Sequence, residues 1–130
     1  MFGAVWRWAG RYRRTDVNIG GVDWHEVPSR VRRLVDDTKY WVGAATVDHD
    51  EIAIRFHHRL VQIHPFVNGN GRLGRFAAEY LVESLGRPRF TWGISLVLER
   101  SALRERYRKA LQRLDADQDD VEELLTFARS

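Results

Sequence analysis

A histidine, a Gly-Asn-Gly turn and two arginines occur together in the segment HPFVNGNGRLGR, residues 64–75. The imidazole of His64 is neutral near pH 7 and can take a proton from a hydroxyl. Glycines at positions 69 and 71 permit a positive φ and leave space beside the main chain, where successive N–H groups can bind an anion. The segment therefore predicts a phosphate-binding site beside a general base.

The residues after this turn, RLGRFAAEYLVESLG, predict a helix that ends at Gly86. The unpaired N–H groups and the positive dipole at the start of the helix would face the same anion. Arg72 and Arg75 lie one turn apart on that helix, and arginine forms forked hydrogen bonds to phosphate oxygens. Taken alone, Gly-Asn-Gly is more often a plain turn, and a histidine before proline is often just a helix end. Their combination in one segment favours the phosphate site.

Apolar residues recur at helical spacing through most of the chain, which predicts an all-α domain. We expect a first helix from about residue 27 to residue 45, and a second in DEIAIRFHHRLVQIH with Asp48 or Asp50 as its N-cap. Two more helices are expected in SALRERYRKALQRLDA and DDVEELLTFAR. The positions expected to face the core are Val31, Leu34, Val35, Tyr40 and Val42, then Ile52, Phe56, Leu60 and Ile63, then Leu73, Phe76, Ala77, Tyr80 and Leu81, and finally Leu103, Tyr107, Leu111 and Leu114.

One segment near the N-terminus, RYRRTDVNIGGV, predicts a small β-hairpin, because its residues alternate around Val17 and Ile19 before Gly20-Gly21. The sequence contains no internal repeat and no low-complexity segment. The predicted fold is therefore an all-α helical bundle with one hairpin near the N-terminus, forming a single domain over residues 1–130.

The composition is typical of a folded, water-soluble domain, since 44% of the 130 residues are hydrophobic and 30% are charged. No apolar run approaches the ~20 residues that cross a bilayer, and the first residues lack the long apolar stretch of a signal peptide. The sequence has no cysteine, which excludes disulfides and thiolate chemistry. We expect a cytoplasmic protein without a membrane partner.

The net charge of +3 raises nucleic-acid binding as a hypothesis. The arginines, however, are spread along the chain and alternate with acids instead of forming one basic stripe. Without a recognisable nucleic-acid-binding motif, a nucleic-acid partner is not expected. The other histidines lack the i, i+4 spacing of metal ligands and are expected in core or surface positions: His25, His49, His57 and His58.

Residues 64–75 resemble the signature of the Fic family, HxFx[D/E]GNGRxxR, whose typical members transfer AMP from ATP to a protein hydroxyl. Asn68 departs from this pattern, because the family usually has Asp or Glu there. The strings VDWHEVP, EIAIRFHHRLVQIHPF and FTWG further resemble a bacterial Fic branch called mobile mystery protein B, which is associated with mobile elements. Seven specified positions agree with the signature, and the resemblance places them in the catalytic and nucleotide-binding site: His64, Phe66, Gly69, Asn70, Gly71, Arg72 and Arg75.

The resemblance implies a protein adenylyltransferase that uses ATP and Mg²⁺. His64 would act as general base on a Ser, Thr or Tyr hydroxyl of a target protein, and that oxygen would attack the α-phosphorus of ATP. Residues 69–71 would hold the phosphates, with Arg72 at the β-phosphate and Arg75 at the γ-phosphate. The acid at position 68 carries Mg²⁺ in ordinary members. Asn68 offers one neutral carbonyl oxygen, which predicts weaker metal binding and weaker activity.

The resemblance also gives the predicted hairpin a role. In Fic proteins a hairpin called the flap lies over the site and aligns a target segment by β-strand addition. The stretch WAGRYRRTDVNIG, residues 8–20, resembles that element. Fic proteins usually have at least one more helix before it, so we expect that an N-terminal helical segment is lacking. The target-docking residues would be Arg13, Arg14, Thr15, Asp16, Val17, Asn18, Ile19 and Gly20.

Two other functions stay open. One is phosphoryl transfer, as in the death-on-curing branch, although that branch usually has lysine where Gly71 stands here. The other is a non-catalytic nucleotide- or protein-binding module, because Asn68 replaces the usual metal-binding acid.

Many Fic proteins are restrained by a glutamate in the motif [S/T]xxxE[G/N], which pairs with the last arginine of the signature. Here Ser95 and Glu99, and also Ser101 and Glu105, have the first spacing, but arginine follows each glutamate. Arg75 is therefore expected to lack an inhibitory partner within the chain. Restraint would come from the missing N-terminal segment, from a separate antitoxin-like protein or from the weakened metal site.

Overall fold

The computed structural model describes residues 12–16 and 22–130. A 3-10 turn, Trp24–Glu26, leads into five α-helices: α1 (Val27–Ala44), α2 (His49–Ile63), α3 (Asn70–Ser84), α4 (Arg100–Ala116) and α5 (Glu122–Arg129). No strand occurs in the described residues, and the all-α prediction is confirmed for them.

The predicted N-terminal hairpin is not supported by the described part of its sequence. Residues 12–16 form a bend rather than a strand. The physical reason is that this segment bonds to a loop and not to a neighbouring strand, since the Arg13 N–H donates to the Pro65 carbonyl at 2.9 Å. The rest of the predicted flap lies outside the described residues: Val17, Asn18, Ile19 and Gly20.

Helix α2 is the centre of the bundle and packs against α1, α3 and α5. It can do so because apolar side chains project from several sides of it into the core. Packing on three sides therefore fixes the end of α2, at the point where the signature segment, residues 64–75, begins. The four residues that the spacing predicted, Ile52, Phe56, Leu60 and Ile63, are buried, and so are Ala53 and Ile54.

Helix α1 begins with Pro28 in its first turn, where the missing N–H of proline costs no helical hydrogen bond. The prediction that Tyr40 is buried is wrong, because 73% of this residue is exposed. Thr38 occupies the core-facing position instead, and its hydroxyl donates to the Leu34 carbonyl at 2.8 Å, so the buried oxygen is satisfied. Val31 and Leu34 are buried as predicted.

Two residues of α3 that were predicted to be buried are exposed, Phe76 by 40% and Tyr80 by 41%. The helix turns the small residues Gly74 and Ala78 toward the core instead. A Cβ at position 74 would lie 3.2 Å from His57 Nδ1, so α3 approaches α2 too closely to seat an aromatic ring between them. The other predicted positions of this helix are buried: Leu73, Ala77 and Leu81.

Helices α4 and α5 pack against each other, and α5 also contacts α2. In α4 the predicted core residue Leu114 is buried, whereas the other three predicted residues, Leu103, Tyr107 and Leu111, are half-buried. Helix α5 begins later than predicted, at Glu122, because a turn precedes it in which the Asp120 N–H donates to the Asp117 carbonyl at 3.0 Å. Among the described residues, no helix is long and apolar enough to cross a membrane.

Neither aspartate that was predicted to cap α2 does so with its side chain. Asp48 stands at the N-cap position without a capping hydrogen bond. Asp50 lies within the helix, where its carboxylate accepts hydrogen bonds from Arg129 Nε at 2.8 Å and from Arg87 Nε at 3.2 Å. These bonds, chiefly those from Arg129, hold the pKa of Asp50 at about 2, below its ordinary 3.8. Asp50 thus joins α2 to α5 and to the loop after α3.

Asp50→Asn is expected to lower the free energy of unfolding near neutral pH by about 2 kcal/mol, the equivalent of the depressed pKa. Because the folded pKa lies below the unfolded one, this stabilisation is present above about pH 4 and is lost as the pH falls toward 2. Urea unfolding should therefore separate variant and wild type at about pH 6, and the two should converge near pH 2. Asp48→Asn is the exposed control, with an expected change within about 0.5 kcal/mol. Equal stability of Asp50→Asn and wild type at pH 6 would contradict the assignment.

Candidate functional site

The first part of the signature segment forms the connection between α2 and α3. His64 is the C-cap of α2 and has left-handed backbone angles, φ 53° and ψ 62°. Its N–H donates to the Leu60 carbonyl at 3.2 Å. Pro65 explains why the helix ends here, because proline disfavours helical geometry in the residue before it. Gly69, with φ 75°, is the N-cap of α3. Positive φ at both ends turns the chain sharply between two packed helices.

Arg13 closes the C-terminal end of α2 from a distant part of the chain. Its side chain is fully buried. Nε donates to the His64 carbonyl at 2.6 Å, and Nη2 donates to the Ile63 carbonyl at 3.2 Å. The guanidinium also donates to the carbonyls of Thr15, at 2.9 Å, and of Val22. These bonds offset the strain of a left-handed histidine, which costs about 1–3 kcal/mol.

Because its side chain is buried, Arg13 could take part in the predicted target docking only through its main chain, and that role stays a prediction. Arg14 and Thr15 are exposed. Asp16 is exposed as well, but its carboxylate accepts a hydrogen bond from the Trp24 N–H at 3.0 Å. Among the described residues of the predicted flap, Arg14 and Thr15 therefore have the side chains most open to a target.

Asn70 holds the connection together through its side chain. Its Oδ1 accepts the Phe66 N–H at 2.8 Å, and its Nδ2 donates to the Phe66 carbonyl at 2.8 Å. Phe66 is itself buried, and its ring centroid lies 5.7 Å from that of Tyr12. The resemblance placed both residues in the nucleotide site. In the structure the side chains of these two residues stabilise the loop. The main-chain N–H of Asn70 is the group that remains free to bind an anion.

The predicted site residues surround one cavity of about 620 Å³. Phe66 is the exception, because it lies in the core below. The cavity brings the imidazole, the glycine turn and both arginines together, as the sequence predicted. Its lining consists of Val67 and seven predicted residues: His64, Asn68, Gly69, Asn70, Gly71, Arg72 and Arg75.

The electrostatics of the cavity favour a neutral base beside a bound anion. Partial burial, followed by the positive charge of Arg13, lowers the pKa of His64 below its ordinary 6.5. The imidazole is therefore unprotonated at neutral pH and can accept a proton. The main-chain N–H groups of residues 70–72 have no partner within α3 and add a positive potential at its N-terminus.

Arg72 and Arg75 bring uncompensated positive charge to the cavity. Within the described part of the chain, neither makes an ion pair with a carboxylate. The Arg75 guanidinium lies 5.3 Å from the centroid of the Tyr107 ring. The two guanidinium groups are available to an anionic ligand.

The cavity does not fit a Mg²⁺ ion bound by the protein itself. Asn68 is exposed and lines the cavity, but no carboxylate does so among the described residues. The same residues contain no group of three or more His, Asp or Glu that could hold a metal. Mg²⁺ prefers carboxylate and phosphate oxygens, and position 68 supplies one neutral oxygen.

A pair of buried side chains, His57 and Tyr107, supports Arg75 and was not predicted from the sequence. His57 Nε2 lies 2.7 Å from the Tyr107 hydroxyl oxygen, which joins α2 to α4. Burial lowers the pKa of His57 to about 4 and raises the pKa of Tyr107, so both side chains are neutral. The expected core position of His57 is thus observed. Its pairing with Tyr107 had no signal in the sequence, because helical spacing does not say which helices meet.

A model of the Fic/DOC family matches residues 2–82 of this chain. The match covers more than half of the 130 residues. The protein therefore belongs to the Fic/DOC family.

Known proteins extend this comparison. Protein adenylyltransferase Fic from Drosophila grimshawi is 32% identical over 84 residues, which are 61% of this chain and 17% of that protein. Protein adenylyltransferase fic-1 from Caenorhabditis elegans is 34% identical over 83 residues, 62% of this chain and 16% of that protein. A Fic domain containing signaling protein from Bacteroides thetaiotaomicron shares the fold with a TM-score of 0.74 at 19% identity, over 90% of this chain and 48% of its own. The chain thus spans about a sixth of the curated relatives that it matches.

Proposed function

We propose that this Fic/DOC domain transfers AMP from ATP to a hydroxyl of a target protein. The proposal is carried by one cavity that contains His64, the turn at residues 69–71 and two arginines without carboxylate partners among the described residues. A general base, an anion-binding turn and unpaired guanidinium groups are the components that nucleotidyl transfer needs. The two curated relatives described above are protein adenylyltransferases, which supports the same activity.

The transfer is a displacement at the α-phosphorus. His64 accepts the proton of a Ser, Thr or Tyr hydroxyl on the target. The hydroxyl oxygen forms a bond to the α-phosphorus, while the bond from that phosphorus to the oxygen that bridges to the β-phosphate breaks. Diphosphate leaves, and the proton stays on His64 until solvent removes it. The products are an AMP ester of the target and diphosphate.

The remaining residues of the cavity bind and orient the triphosphate. Main-chain N–H groups of residues 70–72 bond to phosphate oxygens at the start of α3. Arg72 and Arg75 form charge-assisted bonds to the β- and γ-phosphates and stabilise the charge that develops on diphosphate. Asn68 would contribute at most one neutral oxygen to a Mg²⁺ ion that arrived with the nucleotide.

The target docks through main-chain hydrogen bonds to the flap, an assignment that rests on the resemblance of residues 8–20. The described flap residues that are exposed are Arg14, Thr15 and Asp16. An antitoxin-like inhibitor, a cytoplasmic location and membership in the mobile mystery protein B branch belong to the same proposal. They are supported by the sequence patterns alone.

The proposed activity is tested by two parallel reactions in a cell lysate. One reaction uses ATP labelled at the α-phosphate and the other uses ATP labelled at the γ-phosphate. AMP transfer places the α label on protein and leaves the γ label in diphosphate. Phosphoryl transfer places the γ label on protein instead. A nucleotide-binding module, which the neutral Asn68 favours as the second candidate, incorporates neither label while it still binds ATP. Absence of the α label from protein overturns the proposal.

Asn68→Asp is expected to lower the Mg²⁺ concentration needed for half-maximal transfer by roughly tenfold, because it adds a charged interaction of about 1.5 kcal/mol. An anionic oxygen beside the phosphates should also raise the rate. The measurement is α-label incorporation across a Mg²⁺ titration. Val67→Asp is the matched control, since it adds the same charge to the cavity lining one residue away. If Asn68→Asp changes neither the titration nor the labelling, position 68 is not a metal site.

A further inference from the structure

A second cavity, of about 410 Å³, lies next to the candidate site on the side of α4. Arg72 and Arg75 line both cavities, and α4 adds Arg100 and Arg104 to the second. We refer to the space lined by these four residues as the arginine pocket. The two cavities are neighbours, because the side chains of Arg72 and Arg75 belong to the linings of both.

The four arginines of this pocket have no carboxylate partner among the described residues. A different cavity, beside α1 and α2, provides a contrast. Four arginines line it, and three of them form ion pairs with acids. The arginine pocket therefore has four positive charges that a bound anion can neutralise. The ion pairs of the other cavity are Arg30–Glu26, Arg55–Glu51 and Arg59–Asp37.

The positions of Arg100 and Arg104 weaken α4 instead of stabilising it. Arg100 is the first residue of the helix and Arg104 follows one turn later, so both stand at the positive end of the helix dipole. Like charges at i and i+4 also repel each other. The first turn contains no acidic residue, and Glu99 at the N-cap position makes no side-chain capping hydrogen bond. A bound anion would compensate the two arginine charges, which Glu99 alone does not balance.

We propose that the arginine pocket binds the distal phosphates of an oligophosphate, namely the terminal phosphate of a nucleoside triphosphate and then the diphosphate product. This inference rests on the proposed function, in which diphosphate is released beside Arg72 and Arg75. The planar guanidinium fork fits phosphate oxygens, and the Tyr107 ring holds the Arg75 guanidinium where the two cavities meet. Arg100 and Arg104 extend the phosphate-binding surface onto a second helix.

Calorimetric titration with inorganic tripolyphosphate and with AMP tests the pocket without requiring group transfer. The variant is Arg100→Gln/Arg104→Gln. The control is Arg106→Gln/Lys109→Gln, which removes the same charge from exposed positions of the same helix outside the pocket. Tripolyphosphate affinity should fall roughly tenfold or more in the variant and less than about twofold in the control, since two forked bonds are lost in the variant alone. AMP affinity should stay unchanged in both, and circular dichroism should show that both are folded.

Three results would overturn the assignment. Equal loss in variant and control would mean that net charge alone matters, and unchanged tripolyphosphate affinity would mean that the pocket does not bind phosphate. If the variant loses affinity for a polyglutamate peptide but not for tripolyphosphate, the pocket docks an acidic protein segment instead.

The proposed function can fail independently of the pocket. If the tripolyphosphate result is as expected but no α label is transferred to protein, AMP transfer is rejected and phosphate binding in the pocket is retained.

Discussion

His64→Ala is expected to reduce AMP transfer by at least about 10²–10⁴-fold, the usual contribution of a general base, while ATP binding changes little. Among the described residues that line the cavity, His64 has the one side chain that can accept a proton near neutral pH. In the proposed mechanism the phosphates, by contrast, are bound by the N-terminus of α3 and its arginines. The measurements are α-label incorporation and, on the same protein, a calorimetric titration with ATP.

His64→Asn is the matched control for this experiment. Position 64 has a left-handed backbone, which asparagine tolerates well and alanine does not. In a thermal melt, His64→Ala should therefore be about 1 kcal/mol less stable than His64→Asn. Both variants lack the catalytic base, so both should lose transfer to the same extent. Undiminished labelling by either folded variant would refute the role of His64.

The pH profile of the wild-type protein follows from the same assignment. Burial and the charge of Arg13 lower the pKa of His64 below 6.5, so the unprotonated base persists to lower pH than for an ordinary histidine. The acid limb of the transfer rate should therefore be centred below pH 6.5. An acid limb centred above pH 6.5 would not fit the environment of His64.

The sequence predicted the helices well, because apolar spacing records which face of each helix is buried. It failed for Tyr40, Phe76 and Tyr80, which are exposed. With about 3.6 residues per turn, Tyr40 and Phe76 lie on the side of their helices opposite the buried residues, and Tyr80 lies at the edge of the buried face. An aromatic side chain was therefore a poor indicator of burial where its angular position did not match the buried face.

The candidate site was predictable where it is local and unpredictable where it is assembled from distant segments. Residues 64–75 are contiguous, so their types and order were enough to predict a cavity that combines a base with an anion site. The bond from Arg13 to His64 spans 51 residues, and that between His57 and Tyr107 spans 50. Such pairs depend on how the helices of the bundle pack, and the order of residues along the chain does not record that packing.

Arg13→Ala is expected to lower the free energy of unfolding by about 3 kcal/mol or more. It removes the donors of four main-chain carbonyls, and a buried carbonyl left without a partner costs about 1–3 kcal/mol. It also removes a cation from the C-terminal end of α2, where the helix dipole favours one. Urea unfolding measures the loss.

Arg14→Ala and Arg13→Lys are the controls for this prediction. Arg14 is the exposed neighbour, and its loss should change stability by less than about 0.5 kcal/mol. Arg13→Lys keeps the charge but cannot reproduce the planar fork that reaches several carbonyls at once, so most of the loss should remain. If Arg13→Ala is as stable as Arg14→Ala, the bonds of this guanidinium do not hold the end of α2.

A role of Arg13 in positioning the base, beyond its role in stability, has its own readout. At a temperature where Arg13→Lys stays folded, the turnover number should fall while the KM for ATP changes little. In the proposed mechanism α3 binds the phosphates, whereas Arg13 fixes the position of the imidazole. In Arg13→Ala the positive charge is also lost, which raises the pKa of His64 and moves the acid limb of the rate profile to higher pH. A purely structural arginine would lower the amount of folded protein without moving that limb. An unshifted acid limb in the folded fraction of Arg13→Ala would therefore limit Arg13 to holding the fold.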